Sequence, residues 1–246
     1  MIDDTVIHTS MGTQRVGAEA CRQVFADGVN YLLTPTDDYA VHLTSAEQVA
    51  TRDMSEQRLR SYSTGRYLSH QLLANAGFPD TDVLSGDERE PLWPPGVQGS
   101  ISHTDAWCLV AMTTAVRYCG LGVDIEQVQA LESGLRDIVL TQQEQRDIAA
   151  LPALSPLQQT SGNTLSVTGW PAVYFSIKES LFKCRFPVER QWIDFHQATV
   201  SVDPDARTFS AVFAPELDNT LLNNSNLNGQ FAIIDDHVIS VASLVR

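Results

Sequence analysis

The spacing of apolar positions divides the chain into short strands and a few longer helices. Residues 29–33, apolar except for Asn30 and closed by Thr34-Pro35, read as a short strand. Ser45, with Gln48 three residues on, has the spacing of a capping box and predicts a helix start. A longer helix is expected from Ser55, where Leu59, Tyr62, Leu68, Leu72 and Ala76 make an apolar stripe that Gly77 ends. Three prolines and a glycine fall within six residues of 91–96, so 88–96 is expected to be a rigid loop without regular structure. It leads into Gly99-Ser100-Ile101-Ser102-His103. Residues 107–112 are continuously apolar and read as a buried strand with His103 at its head. Residues 120–126 read as a core strand that ends in acids.

Thr141 and Glu144 form a capping-box pattern for a helix running toward Leu151, and the polar stretch 152–168 reads as a mobile loop. Pro171 suits a first helical turn. Val173, Ile177, Leu181 and Cys184 then follow helical spacing, and Pro187 is expected to stop the helix after about four turns. Ile193, Phe195, Val200 and Val202 suggest a strand, irregular near Gln197. After a turn at 203–205, residues 208–213 make a second strand, and 217–229 read as an Asn-rich loop. Residues 231–234 and 238–245 pair about a turn at 235–237. The second half is therefore one or two helices on a small antiparallel sheet.

A chain of 246 residues can build one large domain or two small ones. The first twelve residues hold no apolar run, so neither a signal peptide nor a membrane span is expected and the cytoplasm is the expected compartment. Cys21, Cys108, Cys119 and Cys184 are far apart, which favours buried reduced thiols over zinc or disulfides. A net charge of −14 argues against general nucleic-acid binding. An anionic ligand would need a local cluster of cations.

Several stretches could supply one. Arg58, Arg60 and Arg66 lie along one helix and make either a solvated face or an anion site. The small residues around Ser102 and His103 let backbone N–H groups approach a phosphate, and a histidine with a fixed tautomer can donate to it. Asp124 and Glu126 are two apart in a strand, so they share a face; they make either a solvated strand end or a convergent pair that calls for a proton or a metal, and all-oxygen ligands suit Mg²⁺ or Mn²⁺. The only two lysines, Lys178 and Lys183, flank Glu179. Glu179 and Lys183 are four apart on a helix, where a weak surface ion pair is the ordinary explanation.

Taken in order, Gly99-Ser-Ile-Ser-His103, Gly122-Val-Asp-Ile-Glu126 and Phe175-Ser-Ile-Lys-Glu-Ser-Leu-Phe-Lys183 resemble the phosphopantetheinyl transferases. Gly65-Arg66 and the loop Arg89-x-Pro91-Leu92-Trp93-Pro94 resemble the branch typified by enterobactin synthase component D. The match spans residues 58–186. It implies an α+β fold of two pseudo-symmetric halves, each a small antiparallel sheet packed with helices, with the site in the cleft between them. The halves would be 1–120, with the coenzyme-binding arginines and the Ser-Ile-Ser-His loop, and 121–246, with the carboxylates and the Lys-Glu helix. It further implies transfer of 4′-phosphopantetheine from coenzyme A to a carrier-protein serine, with release of 3′,5′-ADP.

By the same resemblance, Asp124, Glu126 and Glu179 would surround Mg²⁺, and Lys183 would stand near the pyrophosphate. Ser102, His103, Arg58, Arg66 and Arg89 would bind coenzyme A. The residues leave open whether Glu179 ligates the metal, takes the serine proton, or does both. Ser61 stands where this branch usually has an acid. Partners would be coenzyme A and an apo acyl or peptidyl carrier protein, with the enzyme a monomer. Because the chain is acidic, docking is expected through an apolar patch near the cleft, at the helix after Thr141 and the loop 152–168, the alternative being that the loop is an idle insertion. The rivals are a Mg²⁺-dependent hydrolase of a nucleotide pyrophosphate and a non-catalytic carrier-binding module.

Overall fold

The computed structural model describes residues 21–154, 156, 169–218 and 220–246. Most of the loop 152–168 therefore lies outside the described residues, as do residues 1–20. Strands β1 (Asn30–Pro35), β4 (Gln98–His103) and β5 (Trp107–Thr113) form an antiparallel sheet in the order β1-β5-β4. Helices α1 (Ser45–Val49) and α2 (Glu56–Asn75) belong to this half, and α2 packs on the sheet. The expected cap is one residue off: Thr44 caps α1, and its box partner is Glu47.

Two expectations of loop are corrected here. The stretch Gly99–His103 is itself part of strand β4, because its buried residues Gly99, Ser100 and Ser102 are small enough to be covered without any apolar run. The proline-rich segment holds a short hairpin, β2 (Leu84–Ser85) with β3 (Pro91–Leu92). Arg89 at its tip takes φ 66°, a left-handed turn conformation.

In the second half β6 (Tyr118–Gln127), β7 (Ala198–Asp203), β8 (Thr208–Phe213), β9 (Asn226–Ile234) and β10 (His237–Val245) make a five-stranded antiparallel sheet, ordered β6-β10-β9-β8-β7. Four helices accompany it: α3 (Ser133–Val139), α4 (Gln142–Ile148), α5 (Trp170–Glu189) and α6 (Thr220–Asn223). Of these α3 was not foreseen. Helix α6 and the start of β9 occupy part of the expected Asn-rich loop. The suspected irregularity at Gln197 is a 3₁₀ turn, Phe195–Gln197, ahead of β7. Pro187 does not stop α5. It lies in the last turn, where it forfeits one backbone hydrogen bond, and the helix ends at Arg190 in the left-handed region (φ 53°).

The two halves repeat one device. Glu47 is fully buried, closes the cap of α1 on Thr44, and accepts from Val83 N at 2.9 Å; its Oε1 also meets His70 of α2 at 2.9 Å. Glu144 is fully buried, closes the cap of α4 on Thr141, and accepts from Val200 N at 2.8 Å and from Lys178 of α5 at 2.8 Å. In each half a short helix, a long helix and a following segment are thus pinned by one buried carboxylate. The four cysteines are free and buried.

The halves join along β4 and β6. Ser100 Oγ accepts from Val123 N at 3.0 Å, and Ser102 Oγ accepts from Ile125 N at 3.3 Å. Behind this seam a shared core packs Tyr31, Leu109 and Ala111 against Val123, Ile125 and Val241. On the opposite face of β6 lies α5. A Cβ at Gly122 would stand 2.0 Å from the Ser180 carbonyl oxygen and 2.4 Å from Cys184 N. Only a residue without a side chain lets the helix lie this close, and the next residues on that face are Asp124 and Glu126. No helix among the described residues is long and apolar enough to cross a membrane.

Candidate active site

The nine site residues that the resemblance implies all line one cavity: Arg58, Arg66, Arg89, Ser102, His103, Asp124, Glu126, Glu179 and Lys183. Its floor is the seam. Strand β4 supplies Ser102 and His103, β6 supplies Asp124 and Glu126, and α5 supplies Glu179 and Lys183. Lys183 Nζ donates to Asp124 Oδ1 at 2.6 Å and to Ser102 Oγ at 3.1 Å, while Ser102 Oγ donates to the same Oδ1 at 2.7 Å. Each of the three motifs thus contributes one corner of a closed triangle. Arg60 points elsewhere, to Thr36 O and Asp37.

The electrostatics are those of carboxylates crowded together. Burial pushes Glu126 up to about 7, Asp124 and Glu179 add to the rise, and Lys183 opposes it. Burial also raises Glu179, against the pull of Lys183 and with help from Asp124. For Lys183 burial works to lower the ammonium, but Asp124, Glu179 and Glu126 outweigh it and hold the proton on. Asp124 is 1% exposed, and its Oδ2 has no hydrogen-bond partner. A buried carboxylate oxygen left unpaired is costly, so the site has room for one more cation. The donor set, all oxygen, fits a divalent ion of the Mg²⁺ class. As they stand, no three His, Cys, Asp or Glu side chains among the described residues are close enough to hold one. Lys183 is the cation that Asp124 holds in this arrangement.

The other wall carries the cations. Arg58 and His103 Nε2 are 3.2 Å apart, and a guanidinium can only donate. His103 therefore accepts at Nε2 and keeps its proton on Nδ1. Burial lowers its pKa, as do Arg58 and Lys183, which keeps the ring neutral. Arg66 is 5% exposed; its guanidinium lies 4.3 Å from the Tyr62 ring centroid and donates to Ser85 Oγ at 2.9 Å, leaving Nε without a partner. Arg89 projects from the hairpin, whose Glu90 pairs with Arg190 at the end of α5 and so ties the hairpin to the second half. Tyr62, Ser85 and Phe175 also line the cavity and were not recognised. Tyr62 stands four residues before Arg66, which on a helix is a stacking distance, but its place in an apolar stripe hid that role.

Lys178 is not part of the cavity. Its ammonium is spent on Glu144, Val139 O and Phe195 O, at 2.7–2.8 Å. Helix α4, expected to help form an apolar docking patch, exposes Gln142, Gln143 and Arg146 instead.

Residues 46–113 match the 4′-phosphopantetheinyl transferase N-terminal domain, and residues 120–242 match the 4′-phosphopantetheinyl transferase superfamily. A 4′-phosphopantetheinyl transferase of Streptomyces mobaraensis is 31% identical over 182 residues, covering 74% of this chain and 70% of that protein. One of Mycobacterium tuberculosis is 27% identical over 175 residues, 70% of each chain. Enterobactin synthase component D of Salmonella typhimurium is 27% identical over 134 residues, 54% of this chain and 50% of that protein. With both halves matched in order around the cavity, the chain belongs to the 4′-phosphopantetheinyl transferase superfamily.

Proposed function

We propose that the chain moves 4′-phosphopantetheine from coenzyme A to a serine hydroxyl of an apo carrier protein, releasing 3′,5′-ADP, with the chemistry at the seam. The observation that carries this reading is the triangle Ser102–Asp124–Lys183, which three separated motifs meet to form. Transfer of this kind depends on positioning and on neutralising charge. The half up to residue 120 grips the coenzyme through Arg58, Arg66, Arg89, Ser102 and His103. The half from 121 onward carries the reacting centre.

In that centre Asp124, Glu126 and Glu179 would hold Mg²⁺ or Mn²⁺. When bound, the ion spreads the negative charge of the pyrophosphate. Lys183 neutralises the outer oxygens of the pyrophosphate, and its raised pKa keeps it charged for that task. Glu179 accepts the serine proton; a carboxyl raised by burial is a better base near neutral pH than an ordinary one. The serine oxygen forms a bond to phosphorus as the bond to the departing nucleotide phosphate breaks. His103 donates from Nδ1 while Arg58 fixes its tautomer.

Incubation with coenzyme A, Mg²⁺ and a panel of apo carrier proteins, read by intact mass, tests the reading. One phosphopantetheine is gained per carrier, and only with both coenzyme and divalent ion present. Release of a coenzyme A fragment without any carrier would point to a hydrolase and overturn it.

A further inference from the structure

A second cavity opens along α5 and meets the first at Glu179, which lines both. It has a volume of about 180 Å³ and is walled by Phe182, Trp192, Ile193, Phe195 and Phe213. On α5, Phe175, Glu179 and Phe182 fall at i, i+4 and i+7 and share one face. The segment after α5 folds back over this face. Trp192 meets Phe182 edge-on at 4.9 Å, and Phe195 lies 5.7 Å from Phe175, which itself lines the coenzyme cavity. An apolar track therefore runs from the catalytic carboxylate outward. Trp192 is 59% exposed, and its indole N–H is steered by Asp194 at 3.2 Å. A large aromatic held in place yet uncovered is the form that an anchor for a partner takes.

We propose that this groove docks the apo carrier protein by receiving a large apolar side chain that stands beside the acceptor serine. The proposal rests on Glu179 as the reacting centre. The acceptor has to reach Glu179 from a side that the coenzyme does not fill. The coenzyme side is lined with cations, and the groove approaches the same carboxylate from the other side. Charge offers no alternative hold here. The charged residues that line the groove are Lys178, Glu179 and Asp194, and the Lys178 ammonium is consumed by Glu144. Apolar contact supplies the binding, and the tryptophan sets its position.

The test uses the full-length protein and compares Trp192→Ala, Trp192→Phe and Val116→Ala, the last being 89% exposed on the other half. Trp192→Ala raises the KM for the carrier roughly tenfold or more, while kcat and coenzyme A affinity by calorimetry stay at wild-type values. Trp192→Phe restores most of the loss, and Val116→Ala has no effect. Added salt leaves the carrier KM nearly unchanged, since apolar contact is not screened. An unchanged carrier KM in Trp192→Ala overturns the proposal. So does an equal loss of coenzyme affinity, which would make the tryptophan a structural residue. Wild-type protein that loads no carrier overturns the catalytic reading itself, and that result is visible before any variant is made.

Discussion

Replacing Lys178 by methionine should cost stability far out of proportion to the size of the change. The side chain is 2% exposed, and its ammonium makes three hydrogen bonds of 2.7–2.8 Å. Burial pulls its pKa down and Glu144 pulls it back up. Methionine fills a similar volume and makes none of these bonds. It strands the Glu144 carboxylate with only the N–H groups of Thr141 and Val200 for company, and it leaves the carbonyls of Val139 and Phe195 unpaired. Removing one partner of a buried pair costs about 3–5 kcal/mol. For a chain of this size that lowers Tm by roughly 6–20 °C, at about 2–4 °C per kcal/mol. Against a total stability of about 5–15 kcal/mol it is a large share.

Urea denaturation followed by circular dichroism measures the loss directly. Lys178→Met combined with Glu144→Leu should be less destabilised than the sum of the two single changes, because the stranded charge is gone. A loss below about 1 kcal/mol in the single variant would refute the argument, since it would mean that water or a relaxed backbone already serves these groups.

Three other outcomes follow from the site and the repeated device. Asp124→Asn should abolish carrier loading in the mass assay while coenzyme A binding by calorimetry persists, because the arginine wall is intact. Arg58→Ala and Arg89→Ala should raise the KM for coenzyme A more than they lower kcat, and should change little with dephospho-coenzyme A, if they hold the unreacting 3′-phosphate. Glu47 is held below the ordinary carboxylate range: burial opposes this, but the contacts with His70, Val83 N and Thr44 N outweigh it. A depressed carboxyl stabilises the fold above its unfolded pKa and loses that contribution as pH falls through its folded one. Urea midpoints should therefore drop on acidification below about pH 4.5, the usual glutamate range, and Glu47→Gln should flatten that drop.

The strands of the second half were legible because their burial is expressed as apolar runs. Residues 208–213 were placed to the residue, and Phe231, Ile233, Val238 and Leu244, on the strands expected at 231–234 and 238–245, pack in the core. Strand β4 was not legible for the opposite reason. It buries Gly99, Ser100 and Ser102, which carry no hydropathy signal, and it is held by Ser100 and Ser102 bonding across a seam to a strand some twenty residues later. The cap at Thr44 was misplaced for a related reason. Ser45 and Gln48 satisfy the capping pattern as well as Thr44 and Glu47 do, and what selects the second pair is Val83 N and His70 waiting for a carboxylate.

The two lysines show where local pattern stops carrying function. Both lie on α5, five residues apart, each beside an acid four or fewer positions away in sequence. By spacing alone Lys183 pairs with Glu179, and that pair is unremarkable. In the fold the hydrogen-bonded partners of Lys183 are Asp124 and, across the seam, Ser102, reached because Gly120 and Gly122 let the helix lie against β6. The partner of Lys178 is Glu144, which the following sheet also holds through Val200 N. One lysine locks the helix to its own half; the other, one turn and a half further on, faces the opposite half across a cleft. The rotation of α5 that sets Glu179 over the seam is thus the same rotation that buries Lys178, so the motif joins a structural anchor to a residue that lines the cavity.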